Sequence, residues 1–172
     1  MAQGMVVLLN GTSSAGKTTL AKALQTRLPE PAIHSGVDHI LERAPTGLMV
    51  RTTPEDMRRV PGWALPFGPD GLAALPRIGP SGLRILRGMY AAAAALARCG
   101  VWVILDDVIY DAQVARAAAE ELADCETLCI GVHCDVAVAC AREAARGDRA
   151  PGGAKVFAAA VHRWMRYDLD VD

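Results

Sequence analysis

Met5-Val6-Val7-Leu8-Leu9-Asn10-Gly11-Thr12-Ser13-Ser14-Ala15-Gly16-Lys17-Thr18 is the stretch that decides the fold. Residues 5–9 are an unbroken apolar run that reads as a buried strand, and residues 11–18 satisfy Gly-x-x-x-x-Gly-Lys-Ser/Thr in full. The placement counts as much as the letters. A phosphate cradle needs a strand to deliver the loop and a helix N-terminus to receive the anion. A helix is predicted over residues 18–28, with Leu20, Leu24 and Leu28 at fourfold spacing, and Pro29 ends it. Gly11 and Gly16 let the backbone curl, so that successive N–H groups from Thr12, Ser13, Ser14 and Ala15 turn inward at β- and γ-phosphates. Lys17 adds a point charge there, and Thr18 offers a hydroxyl to Mg²⁺, a cation that prefers oxygen ligands beside nucleotide phosphates.

The chain of 172 residues is predicted to be a single domain, and 52% hydrophobic against 22% charged residues makes it globular. A net charge of -1 gives no global electrostatic reason to bind nucleic acid or an anionic membrane. The longest apolar stretches fall far short of the ~20 residues of a membrane-spanning helix. Met1-Ala2-Gln3-Gly4, ahead of the first strand, is too short and uncharged for a secretory signal. The 5 cysteines are an odd set without Cys-x-x-Cys spacing. They read as reduced thiols in a cytoplasmic protein, with neither a disulfide framework nor a zinc knuckle. His133 and Cys134 are adjacent on a predicted strand, so their side chains face opposite ways and make a poor metal pair.

Beyond Pro31 the pattern alternates. A second strand is expected over 32–35, and a helix from Gly36-Val37-Asp38 to Arg43 is stopped by Pro45. Residues 46–80 change character, since 7 of the 10 prolines lie between Pro45 and Pro80. This reads as loop, short helix and hairpin, with Met49, Met57, Trp63, Leu65, Phe67, Leu72 and Leu75 making it a cap that lines a pocket. Ser81 is the expected N-cap of a long helix to Arg98, followed by a third strand over 101–105 that ends on Asp106-Asp107. A helix over 112–123, a strand over 127–133, helices over 135–146 and 154–166, and a fifth strand over 167–171 complete the chain. Five alternations of strand and helix imply a parallel sheet with helices on both faces.

Three further sets of residues can carry chemistry. Asp106 and Asp107, at the carboxyl end of an apolar strand, suit a position where a carboxylate meets Mg²⁺ or its waters; the plainer reading is a turn or helix-capping acid. Asp38 lies just past the second strand, where it can accept the proton of an attacking alcohol, though taken alone it reads first as a helix cap. Arg142, Arg146 and Arg149 occupy a helix end and the turn after it, where guanidinium groups can clamp a migrating phosphoryl group, stack on the adenine of the nucleotide or simply complement the helix dipole. Residues 142–155 together make a candidate arginine lid.

These residues jointly resemble the chloramphenicol phosphotransferase family of P-loop kinases. The motifs are Leu9-Asn10-Gly11 with Ser13-Ser14-Ala15-Gly16-Lys17, Leu28-Pro29-Glu30-Pro31, Gly36-Val37-Asp38, Ile78-Gly79-Pro80, Asp106-Asp107-Val108, Cys134-Asp135, Arg142-Glu143 and Ala145-Arg146-Gly147-Asp148-Arg149. Gly36-Val37-Asp38 and residues 145–149 are the most specific of them. The resemblance implies a three-layer α/β/α fold with a five-stranded parallel sheet in the order 2-3-1-4-5, and transfer of the γ-phosphoryl group of ATP to a hydroxyl. It makes Asp38 the catalytic base, residues 11–18 the ATP-phosphate site, and Arg146 and Arg149 the lid arginines.

Two departures from the family pattern bear on the expectation. Residues 46–75, where the acceptor should sit, match poorly. The sequence also ends at Asp172, where family members continue into a final helix, which would leave a sheet face bare and open to self-association. The expected protein is thus an ATP- and Mg²⁺-dependent small-molecule O-phosphotransferase, whose acceptor is a chloramphenicol-like or other apolar or aromatic compound. The rivals are a metabolic kinase for shikimate, gluconate or a nucleotide, using Arg51, Arg58, Arg59 and Arg77 on an anionic acceptor, and a nucleotide-binding switch, which the absence of Asn-Lys-x-Asp disfavours.

Overall fold

Burial that alternates along the first strand divides the molecule into layers. In β1 (Met5–Asn10), Val6 and Leu8 enter one buried cluster while Val7 and Leu9 enter another, as the period of two in a strand requires. The computed structural model describes residues 4–53, 56–147 and 151–172. Along the chain β1 is followed by α1 (Lys17–Gln25), β2 (Ala32–Gly36) and α2 (Val37–Glu42). Then come β3 (Met49–Thr52), β4 (Trp63–Gly68), β5 (Gly71–Leu72) and β6 (Arg77–Ile78). The rest is α3 (Pro80–Arg98), β7 (Trp102–Asp107), α4 (Ala112–Glu121), β8 (Glu126–Val132), α5 (Val136–Arg146), α6 (Gly153–Ala158) and β9 (Leu169–Val171).

The main sheet has 5 strands in the order β2-β7-β1-β8-β9, all parallel. Counted among themselves in chain order these strands run 2-3-1-4-5. In the whole chain, however, four short strands intervene between the second and the third and build a separate sheet. β3 pairs in parallel with β4, and both β5 and β6 run antiparallel to β4. The proline- and glycine-rich segment is therefore more ordered than a cap of loops and one hairpin. Its Trp63 is 4% exposed and belongs to the core beside Leu86, Met89 and Tyr90.

α3 and α4 cover one face of the main sheet, through Leu86, Tyr90, Ala93, Ala97, Val114 and Ala118 against Val6, Leu8, Val103 and Leu105. α1 covers the other, with Ala21, Leu20 and Leu24 against Val7, Leu9, Ile104 and Ile130. α3 starts one residue before the expected cap. Gly79 is its extended N-cap and Pro80 its first residue, a position where the missing N–H costs nothing. The helix expected over 154–166 is shorter, since α6 ends at Ala158 and a run of turns follows.

The side chains of Asp106 and Asp107 leave β7 on opposite faces. Asp107 is 2% exposed and lies under α3, where it accepts from the Tyr90 hydroxyl at 2.5 Å and from the Val108 N–H at 2.7 Å. It is a core group and not the metal ligand that the strand-end pair predicts. Burial pushes its carboxyl from 3.8 up to about 6, against the opposing pull of the Tyr90 hydrogen bond.

Between those two pH values the folded chain keeps a proton that the unfolded chain releases. Stability contributed at this site is full below the unfolded value and falls as pH rises through about 6. Asp107→Asn should therefore gain on the native protein by roughly 2–3 kcal/mol between pH 4 and 7. Urea unfolding across that range measures it, and parallel stability curves would contradict the assignment.

Candidate active site

Strand register brings the loops after β1, β2, β7 and β8 to one edge. Asn10 is level with Asp107 and Gly131, and Gly36 is level with Asp106. Ligands of open α/β sheets bind outside this carboxyl edge. A cavity of about 1100 Å³ lies there, lined among others by Ser13 to Thr18, Asp38, Asp106, Arg142 and Arg146.

The loop before α1 has the shape of an anion cradle. Gly16 is left-handed at φ 107° and serves as the N-cap, and no side chain caps the helix. An uncapped first turn is the feature of an anion-accepting helix start, whereas α4 and α5 are capped by Asp111 and Asp135. Ser14, also at positive φ (61°), has a buried hydroxyl oxygen without a partner, a polar atom that a bound phosphate satisfies. Gly11 is needed for a different reason from the expected curl. A Cβ there would stand 2.3 Å from the Val132 carbonyl oxygen, so glycine permits the close approach of β8. Thr12 also faces away from the cavity, its hydroxyl donating to the Ala154 carbonyl at 2.7 Å.

Lys17 is 7% exposed and arches over the loop, its Nζ donating to the Thr12 carbonyl at 2.9 Å and standing 3.8 Å from Asp106 Oδ1. The Thr18 hydroxyl donates to Asp106 Oδ2 at 2.6 Å. Hydroxyl and carboxylate at the end of a phosphate loop form an all-oxygen donor pair of the kind that suits a hard divalent cation retaining several waters. His34 Nε2 on β2 lies 3.6 Å from the same Asp106 oxygen, and burial lowers its imidazole below the usual range. Asp38 stands in the first turn of α2, whose N-cap is Gly36, so it is not the cap that its sequence position favours in isolation. It lines the cavity instead.

The family model described as chloramphenicol phosphotransferase-like protein matches residues 4–172. The chain belongs to this family. A Mycobacterium tuberculosis (strain ATCC 25618 / H37Rv) protein named "Putative O-phosphotransferase Rv2636" is 34% identical over 175 residues, covering 100% of this chain and 76% of that protein. An unliganded sugar kinase from Janibacter sp. HTCC2649 superposes with TM-score 0.64 at 15% identity, covering 98% of this chain and 83% of its own. The Mycobacterium tuberculosis APS kinase CysC, in complex with AMPPNP and APS, superposes with TM-score 0.63 at 17% identity, covering 99% and 89%. At such identities the two structures show the shared P-loop kinase fold. The protein is a phosphotransferase-family chain with a kinase fold.

In this family member the candidate lid is built on α5. Arg142 reaches back over the loop, donating to the Ala15 carbonyl at 3.2 Å, and Arg146 follows one turn later on the cavity wall. Arg149, with Asp148, lies outside the described residues. Glu143, between the two arginines, is 6% exposed and accepts from the Gly152 and Ala154 N–H groups at 2.8 and 2.9 Å, fastening the start of α6. Pro151 in turn accepts from the Leu72 N–H at 2.8 Å, which ties this segment to the cap. None of the described residues of the cap lines the main cavity. Trp63 lies in the core and Phe67 beneath the Arg51 guanidinium at 4.2 Å, so neither forms the expected acceptor wall.

Asn10, which the sequence places in the motif Leu9-Asn10-Gly11 without a role, ties three segments together. Fully buried, it donates to the Val161 carbonyl and the Tyr167 hydroxyl at 2.7 Å each and accepts from the Ile109 N–H at 2.7 Å. Apart from that motif, its sequence signal is a polar residue ending an apolar strand just before the loop.

Glu143→Ala should orphan two N–H groups at α6 and lower unfolding stability by about 1–3 kcal/mol in urea denaturation. An unchanged midpoint would show that the buried carboxylate does not hold the segment.

Proposed function

We propose that the protein transfers the γ-phosphoryl group of ATP, with Mg²⁺, to a hydroxyl of an uncharged, largely apolar small molecule, of which chloramphenicol is the type. The observation that carries this reading is that Asp38 and the phosphate loop line one cavity, so that an acceptor held by the carboxylate faces the end of a triphosphate held by the loop. Family membership supports the phosphotransferase class, and the uncapped start of α1 supports an anionic tail.

In this reading the loop N–H groups and Lys17 hold the β- and γ-phosphates. Thr18 and, through water, Asp106 would hold the cation, which supplies charge neutralisation on the phosphate oxygens. Asp38 accepts the hydroxyl proton while the acceptor oxygen bonds to the γ-phosphorus and the bond to the ADP oxygen breaks. Arg142 and Arg146 lie where guanidinium charge stabilises the migrating group and, with the segment behind them, keep water from taking the acceptor's place.

The places of the four cap arginines support an uncharged acceptor. Arg51 stacks on Phe67, Arg59 stands 3.9 Å from Asp56, and Arg77 donates to the Met57 and Val60 carbonyls at 3.4 Å each. None of the four lines the cavity, while Val37 and Val108 lie on its wall with Asp38. This disfavours shikimate, gluconate or a nucleotide as acceptor.

Mass spectrometry of an acceptor panel incubated with ATP and Mg²⁺ tests the reading. An added phosphate is expected on neutral hydroxyl compounds, chloramphenicol first, and phosphate appearing only on carboxylates or nucleotides would overturn it. Asp38→Asn should reduce transfer by about 10²–10⁴-fold with ATP affinity nearly unchanged. Transfer at the native rate would remove Asp38 from the role of base.

A further inference from the structure

Among the described residues, three buried side-chain polar atoms have no hydrogen-bond partner: Ser14 Oγ, Tyr110 Oη and His34 Nε2. Ser14 belongs to the phosphate loop, and Tyr110 lies against the Phe157 ring. His34 is different. Its side chain is 9% exposed, and its Nε2 stops 3.6 Å from Asp106 Oδ2, a few tenths of an ångström beyond a hydrogen bond. Leaving a buried ring nitrogen orphaned is unfavourable, and the Asp106 carboxylate is the acceptor within a small movement of it.

We propose that His34 is a positioning residue for the cation site, its Nε2–H donating to Asp106 Oδ2 so that Oδ1 is presented to the hydration shell of a nucleotide-bound divalent cation. The inference rests on the nucleotide reading above and goes beyond it. A carboxylate turns easily about its last torsion, which is broad and roughly two-fold, so one hydrogen bond does not fix both oxygens. Thr18 already donates to Oδ2 at 2.6 Å, which leaves that oxygen room for one more donor. A second donor from the β2 side holds Oδ2 from two directions and fixes where Oδ1 points. The ring itself is steadied from α2, where His39 meets it edge-on at 5.0 Å and 89°. β2 thereby contributes to the cation site as well as delivering Asp38.

Calorimetric titration of the whole chain with a non-hydrolysable ATP analogue, with and without Mg²⁺, tests the inference on three variants checked by thermal melting. His34→Phe keeps the ring and loses the donor; its affinity should fall about 10-fold with Mg²⁺ and stay as in the native protein without it. His34→Gln, whose amide nitrogen reaches about as far as Nε2, should restore most of the loss. His34→Asn, too short to span the gap, should fail like His34→Phe, and it carries the comparison if the phenyl variant folds poorly. Native Mg²⁺-dependent affinity in His34→Phe or His34→Asn, or an equal loss with and without Mg²⁺, would overturn the proposal. If the native chain takes up no nucleotide in either condition, the functional reading falls and the inference falls with it.

Discussion

A helix that begins at the edge of a parallel sheet with no side chain on its first N–H groups must have the turn before it held by something else. In this chain the holding is done from beneath. Gly11 allows β8 to close against the loop, Thr12 is fastened to Ala154, and Asn10 is fastened to three separate segments. The loop can then lead into α1 without a side-chain cap because the residues at its foot are held by neighbouring segments. Core and site draw on the same bonds, so the cradle is formed before any anion arrives, and little reorganisation is required when charge develops.

The same economy links α5, on the cavity wall, to the small sheet. Glu143 carries α6 on one side while Arg142 and Arg146 flank it on α5. Pro151, just ahead of α6, is bonded to Leu72 in the small sheet, and Gly71 and Gly152 meet there closely enough that a Cβ on either would strike backbone. Pro151 and Gly152, at the start of α6, are therefore held from Glu143 on α5 and from the small sheet together. The cap's part in this arrangement is mechanical support, with its tryptophan in the core and Arg51 and Arg77 engaged elsewhere.

Much of this was legible in the sequence because it depends on local periodicity. The apolar run of β1, the fourfold leucines of α1 and the punctuation at Pro29 and Pro45 are short-range signals, and they place the main-sheet elements to within a few residues. Register along a strand was harder to use. Asp106 and Asp107 read as an equivalent pair, yet the alternation of a strand sends one to the cavity and buries the other under Tyr90. The small sheet was missed because its strands are short and carry prolines, such as Pro66 in β4, that read as loop. Asn10 and Glu143 stand in family motifs, but the partners they hold, 99 to 157 and 9 to 11 residues away, and the nearness of His34 to an acid 72 residues on, cannot be read from a single sequence.

The central claim is that the turn between β1 and α1 grips a chain of phosphates. Calorimetry with ATP, ADP and AMP in the presence of Mg²⁺ tests it most directly, because loop N–H groups and Lys17 should hold phosphate oxygens while the nucleoside stays constant. The account predicts affinity that falls with each phosphate removed and is lost in Lys17→Ala. Equal affinity for all three nucleotides, or no heat from any of them with folded protein, would contradict it.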